Sequence, residues 1–186
     1  MNKLFINKST YFLKQKLPYK FFCSVPMSKL SIGVPKETFN NEKRVSLAPE
    51  AIDKLIKGGF KEVLVEKDAG LGADITNEKY IKAGAKLVDS ESVFSDSDII
   101  LKVRAPNDDE INKIKPGSKL ISFMQPGIYK DLVKKIQSRG ITSYAMDQVP
   151  RITRAQTYDA LSSMANIAGY KAVILAAENF GRFFTG

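Results

Sequence analysis

From Leu30 onward the chain alternates short β-branched, apolar runs with segments whose apolar positions return at helical spacing. LSIGV, residues 30 to 34, reads as a buried strand; the charged loop KETFNNEKRVS follows, then a helix opened by Pro49 and closed near Gly58 and Gly59. KEVLVEK (61 to 67) predicts a second strand, DAGLGADIT a loop, NEKYIKAGA a helix with Thr76 at its N-cap, and KLVD a third strand. SESVFSDS predicts a short helix, DIILKVRAP (98 to 106) a strand stopped by Pro106, and NDDEINKIK another helix. KLISFM (119 to 124) is the next strand, ended by Pro126 and Gly127; Ile128, Leu132, Val133 and Ile136 then form a helical stripe that ends at Gly140. ITSYAM is the last strand. Parallel neighbours need crossover connections, so this alternation implies an α/β fold: a doubly wound, mostly parallel sheet covered on both faces.

From Ser163 the pattern changes to SMANIAGYKAVILAAENFGRFF, a helix with Ala165, Ala168, Gly169, Ala172, Ala176 and Ala177. Small residues at this spacing share a face and let another backbone approach closely, so the helix is expected to pack between two bodies. The chain has no internal repeat.

Composition narrows the chemistry. A chain of 186 residues has room for one domain with a sizeable core. No uninterrupted run of 18 apolar residues is present, so no transmembrane segment is expected. Cys23, the single cysteine, has no intrachain partner and no metal-ligand spacing around it, which points to a reducing compartment and no thiolate metal site. The absence of histidine removes Ser-His and Cys-His nucleophile chemistry and the commonest catalytic zinc ligand, so no metal is expected. Net charge is +9, but seven lysines lie before the first acid, Glu37, which leaves 22 basic against 20 acidic residues in the rest. The body is therefore near neutral, and nucleic acid is not an expected partner. Residues 1–29 form a basic, acid-free leader with apolar periodicity, the composition of a mitochondrial targeting segment, though it uses lysine rather than arginine.

Four stretches carry polar groups that chemistry could use. Gly70 and Gly72 in GLGADI lack the third glycine of a dinucleotide fingerprint and follow the wrong strand, which reads as a turn. Lys36, Glu37, Glu42, Lys43 and Arg44 follow the first strand, with Glu37 and Arg44 expected to pair with each other. Lys102 and Arg104 lie two apart near a strand terminus and either hold an anion or meet Asp98 or Asp108. PRITRAQTYDALSSMANIAGYKAV, residues 150 to 173, is the most specific. A nicotinamide carboxamide has one acceptor and two N–H donors, and Arg151, Gln156, Asp159 and Ser162 supply the complementary set. The same residues also read as a helix cap, with Asp159 or Ser162 at the N-cap and Arg151 and Arg154 as surface charges.

GVPKE, NEKRVSLAP, DIILKVRAP, AMDQVPRITRAQTYDALSSMANIAGYKAV and AAENFGRFFTG together resemble the NAD(H)-binding domain of the proton-translocating NAD(P) transhydrogenases, within the alanine dehydrogenase/transhydrogenase superfamily. The resemblance implies hydride transfer from NADH to NADP coupled to proton movement. It implies NAD(H) bound at residues 151 to 162, with Arg151, Gln156, Asp159 and Ser162 as cofactor ligands. Arg151, Gln156 and Asp159 are then the catalytic positions, and Gln156 approaches an NADP(H) carried by a partner domain. Further expectations are residues 30–162 as a first Rossmann-like subdomain, 163–186 as a helix leading to a second subdomain beyond this fragment, and a homodimer on the matrix face of the mitochondrial inner membrane. Alanine dehydrogenase is the alternative activity, but a lysine is expected there at position 104 and a histidine at position 125. Here Arg104 and Gln125 stand, and glutamine cannot donate the proton that imino-acid reduction needs. A truncated binding partner without activity is the non-enzymatic alternative.

Overall fold

The computed structural model describes residues 25–182, so Cys23, most of the basic leader and the last four residues lie outside the described residues. Among the described residues, six strands run as β1 (Ser31–Val34), β2 (Glu62–Glu66), β3 (Lys86–Val88), β4 (Ile99–Leu101), β5 (Lys119–Ser122) and β6 (Thr142–Ala145). They pair in the order β3-β2-β1-β4-β5-β6, every pair parallel. Helices α1 (Pro49–Lys57), α2 (Asn77–Lys82), α3 (Ser90–Ser95), α4 (Asp108–Lys113) and α5 (Lys130–Ser138) make the crossovers, and α6 (Ala160–Asn179) follows β6. Strand order reverses between β1 and β4, the place where open α/β sheets gather ligands at the carboxyl ends of the strands.

Register sorts the core into two layers. Ile32 pairs with Val63 and Ile99, and Val34 with Val65, so these side chains share one face and pack with Ile52 of α1 and Tyr80 of α2. On the other face Ile100, aligned with Leu120, packs with Val93 and Phe94 of α3, Ile111 of α4 and Ile136 of α5. The double winding is therefore as expected, with one difference. On the first face β6 is uncovered and β5 only partly covered: Thr142 is exposed and Tyr144 is 55% exposed, while Lys119 and Ile121 are half-buried.

Local signals explain most boundaries. Pro49 opens α1 with no N–H to lose. Asn107 and Glu110 form a capping box, each side chain taking the other's backbone N–H, and this starts α4. Asp89 caps α3 through the Ser92 N–H. Thr76 occupies the N-cap position of α2, but its side chain makes no capping bond. The strand expected over residues 98 to 106 ends at Leu101, because the Val103 and Arg104 N–H groups turn to the carboxylate of Glu37 instead of a strand partner.

α6 begins at Ala160, three residues before the expected Ser163, because the Asp159 carboxylate caps the Leu161 and Ser162 N–H groups. Its polar residues are scattered rather than gathered on one face, and its apolar Ile167, Tyr170 and Val173 are 57%, 72% and 68% exposed. An 18-residue window has a mean hydropathy of 1.3, so by length and composition α6 is also apolar enough to cross a bilayer, in spite of the expectation from the interrupted run. A helix with no polar face wants cover on every side.

Gly33 sets how closely the sheet meets α3. A Cβ there would run into Ser97 Oγ and lie 2.7 Å from the Val93 carbonyl oxygen. Backbone cannot yield as a flexible side chain does, so Gly33→Ala is expected to destabilise the fold by about 1–3 kcal/mol through overpacking. Urea unfolding measures this, and an unchanged midpoint contradicts the packing described.

Candidate functional site

The carboxyl ends of β1 and β4 meet in a buried charge cluster. Lys102, just past β4, has a side chain 1% exposed; its Nζ lies 2.9 Å from Glu110 Oε1 and 3.5 Å from Glu37 Oε2. Glu37 also accepts the Val103 N–H at 2.6 Å, and Glu110 accepts the Thr38 hydroxyl and the Asn107 N–H. Every charge in the cluster is paired and hydrogen-bonded, the condition under which buried ions are tolerated. Lys102 therefore meets Glu37 and Glu110, not Asp98 or Asp108.

A second ion group covers this one. Glu42 takes a two-point contact from Arg44, Nε and Nη2 each at 2.7 Å, and a further 2.8 Å bond from Arg104 Nε. Arg44 thus pairs with Glu42, which corrects the expected Glu37–Arg44 pair: Glu37 turns inward to Lys102 and the β4 backbone. The Arg44 hydrogen bond, with Arg104 behind it, outweighs burial and brings the Glu42 carboxyl down to about 2. Arg104 also stacks over Phe39, 4.9 Å from the ring centroid. Beside them Gly70 and Gly72 have packing reasons for lacking a side chain: a Cβ at Gly70 would lie 2.7 Å from the Tyr80 ring, and one at Gly72 would lie 3.0 Å from the Lys43 carbonyl oxygen. They form a turn, as expected.

The polar stretch after β6 folds as a 3-10 turn at Met146–Gln148, a 3-10 segment at Thr153–Tyr158 and the start of α6. This path brings Arg151, Gln156, Asp159 and Ser162 around one open cavity of about 210 Å³, with Ile152 and Thr153 completing the wall. Asp159 is the buried member. Its Oδ1 caps α6 while its Oδ2 accepts the Ser162 hydroxyl at 2.6 Å. The Ser162 hydroxyl, then the Ser162 and Leu161 N–H groups and the Arg151 charge, hold the Asp159 carboxyl below its ordinary range. The guanidinium of Arg151 and the side-chain amide of Gln156 have no hydrogen-bond partner among the described residues. Cap and cavity are thus built from the same residues: one oxygen of Asp159 starts the helix, and the free donors face the space beside it. At about 210 Å³ the cavity is smaller than the roughly 300 Å³ at which pockets for drug-sized ligands begin. It suits one ring and its substituent.

A different cavity, of about 350 Å³, lies past β5 against Phe39, Arg104, Phe123, Gln125, Tyr129 and Leu132. Gln125 there has φ +47°, a left-handed conformation that non-glycine residues rarely adopt. Its N–H and that of Met124 are both taken by the carboxylate of Asp147. The sequence reading missed Glu110 and Asp147. The spacing of Asn107 and Glu110 is a visible capping signal, whereas nothing local marks Asp147.

Comparison with known proteins agrees with this fold. The profile of the alanine dehydrogenase/PNT N-terminal domain matches residues 33–168. The NAD(P) transhydrogenase subunit alpha of Haemophilus influenzae is 50% identical over 155 residues, covering 83% of this chain and 30% of the relative. A solved transhydrogenase from Sinorhizobium meliloti superposes with a TM-score of 0.78 at 41% identity, over 82% of this chain and 43% of that one. A solved L-alanine dehydrogenase gives 0.74 at 29% identity, over 80% and 40%. The chain spans well under half the length of these relatives.

Two measurements check the electrostatics. Lys102→Met leaves two buried carboxylates without their cation and is expected to cost about 3–5 kcal/mol in urea unfolding; a loss below about 1 kcal/mol contradicts the cluster. Glu42 has a folded pKa below its unfolded value, so its contribution is complete above about pH 4.5 and disappears as pH falls toward 2. Over that window Glu42→Gln is expected to show a shallower loss of stability than the parent protein, and equal slopes rule the assignment out.

Proposed function

Because the chain belongs to the alanine dehydrogenase/PNT N-terminal domain family, we propose that it forms the nicotinamide-holding part of an NAD(P) transhydrogenase, an oxidoreductase. The observation that carries this reading is the cavity in which Arg151, Gln156, Asp159 and Ser162 converge. Its donor set fits a carboxamide: Arg151 donates to the carbonyl, and Asp159 and Ser162 accept from the amide nitrogen. Asp159 remains an anion through its capping bonds, so it is an acceptor at neutral pH. Its fixed position on the α6 N-terminus orients the ring. Gln156, at the same rim, is assigned to the contact with a second nicotinamide.

The bound NAD(H) supplies the hydride. The residues of this chain bind, orient and exclude water, a positioning role that requires no proton donor and so is compatible with a chain without histidine. NADP(H) belongs to a partner domain in this reading, with proton movement in a membrane domain beyond these residues. Residues 30–162 are the first subdomain, with the helix beginning three residues earlier than that boundary, and the exposed surface of α6 is an interface helix rather than a bilayer span. Assembly as a homodimer, and delivery by the leader at 1–29 to the matrix face of the mitochondrial inner membrane, complete the proposal.

Alanine dehydrogenase is the second reading, favoured by the 350 Å³ cavity with Arg104 at its wall. It is weaker because Gln125, at the lip of that cavity, offers no proton to an imino acid.

Titration of NADH into the native protein, followed by nucleotide fluorescence, tests the main reading. Arg151→Ala is expected to weaken binding about tenfold or more, since a hydrogen bond from a charged donor is lost. Gln156→Ala is expected to slow hydride transfer more than it weakens NADH binding. Unfolding midpoints should stay within about 0.5 kcal/mol of the parent for these surface positions. Parent-like NADH affinity in Arg151→Ala, or an effect seen only in stability, removes the reading.

A further inference from the structure

The 3-10 turn Met146–Gln148 stands where three elements meet. It follows β6 without a break and packs against both β5 and α6. Its central residue supplies the bonds that fix this junction. Asp147 Oδ1 accepts the Met124 N–H at 2.7 Å, and Oδ2 accepts the Gln125 N–H at 3.1 Å and the Gln148 side-chain amide at 2.9 Å. Met124 is buried, and both N–H groups lie past the end of β5, where the ladder with β6 has stopped at Ser122 and Ala145. Without the carboxylate these donors have no strand to bond, and the part-buried Met124 N–H would be left unpaired at a cost. Gln125, in its left-handed conformation, then turns its carbonyl to the Ile128 and Tyr129 N–H groups. A strained backbone of this kind persists only where neighbours hold it, and here Asp147 is that neighbour.

We infer that Asp147 is a positioning residue for the carboxamide cavity, acting by fixing the exit of β6 against β5 so that the chain reaches Arg151, Gln156 and Asp159 in the observed path. The inference rests on the proposed function for its consequence, but not for its mechanical content. Asp147 touches neither cavity wall that would hold the nicotinamide. Three residues separate it from Arg151, too few for the loop to absorb a shift at the junction without moving the guanidinium. α6, which carries Asp159 and Ser162, packs on the same turn, so both sides of the cavity refer to one anchor.

Asp147→Asn keeps the shape of the side chain but turns an acceptor oxygen into a donor amide facing a backbone N–H. In the native protein this variant is expected to raise trypsin cleavage after Arg151 and Arg154 at least threefold, with cleavage after Lys57 on α1 unchanged, and to weaken NADH binding about tenfold. A purely structural role raises cleavage everywhere in step with lost stability. If Asp147→Asn does not fold, Gln148→Ala removes one of the three donors and is expected to shift the same two readouts by about twofold. Unchanged cleavage at Arg151 and Arg154 in a folded variant overturns the inference. Unchanged NADH binding overturns it as well, provided that Arg151→Ala does weaken binding; if Arg151→Ala is also without effect, the functional reading has failed and the cleavage pattern alone decides whether Asp147 holds the loop.

Discussion

A single buried ammonium ties together the two halves of the sheet. Lys102 leaves the end of β4 and meets Glu37 from the loop after β1 and Glu110 from the start of α4, all three side chains under 10% exposed. Desolvation of three ions offsets much of their mutual attraction, so the cluster is not an efficient source of stability. Its effect is on geometry. Glu37 draws the Val103 and Arg104 N–H groups away from the ladder, which ends β4 at Leu101, and Glu110 at once pairs Lys102 and closes the capping box of α4. The reversal of strand order, and with it the crevice, is fixed at this point. Glu42, Arg44 and Arg104 then form a second, more exposed layer of charge above it.

These ions line the reversal point, and the polar cavity after β6 and the apolar one past β5 lie to one side of it. They differ in kind. One is apolar, past β5, with an arginine at its wall; the other is small and polar, after β6, with uncommitted donors. Asp147 holds the Met124 and Gln125 N–H groups at the wall of the apolar one and stands four positions before Arg151 at the wall of the polar one. The glycines near β2 are occupied by close packing against Tyr80 and Lys43. α6 gathers its polar residues on no one face, is unpartnered among the described elements along most of its length, and attaches to the sheet chiefly through the Met146–Gln148 turn.

The alternation of strands and helices, the α6 segment and the polar cluster that lines the cavity after β6 were legible in the sequence, because each rests on local pattern: periodicity, a proline at a helix start, or a polar run before a small-residue helix. Family resemblance sharpened the ligand set but did not distinguish cap from cavity. Tertiary structure showed that Asp159 serves both, because its two oxygens can point to different partners. Contacts between residues far apart in sequence were not legible. Glu37 and Val103 lie 66 positions apart, and Met124 and Asp147 23, so no spacing rule reaches them. For that reason the expected pair of Glu37 with Arg44 gave way to two separate groups, and the strand expected to run to Pro106 stopped at Leu101. The sequence by itself determined which segments become strands and helices and which polar side chains stand together before α6, since backbone propensity and side-chain type are local. Strand order, the partner of each buried charge, the bare face of β6 and the anchor at Asp147 were decided only by the tertiary structure, since each depends on which distant backbone groups would otherwise be left unpaired.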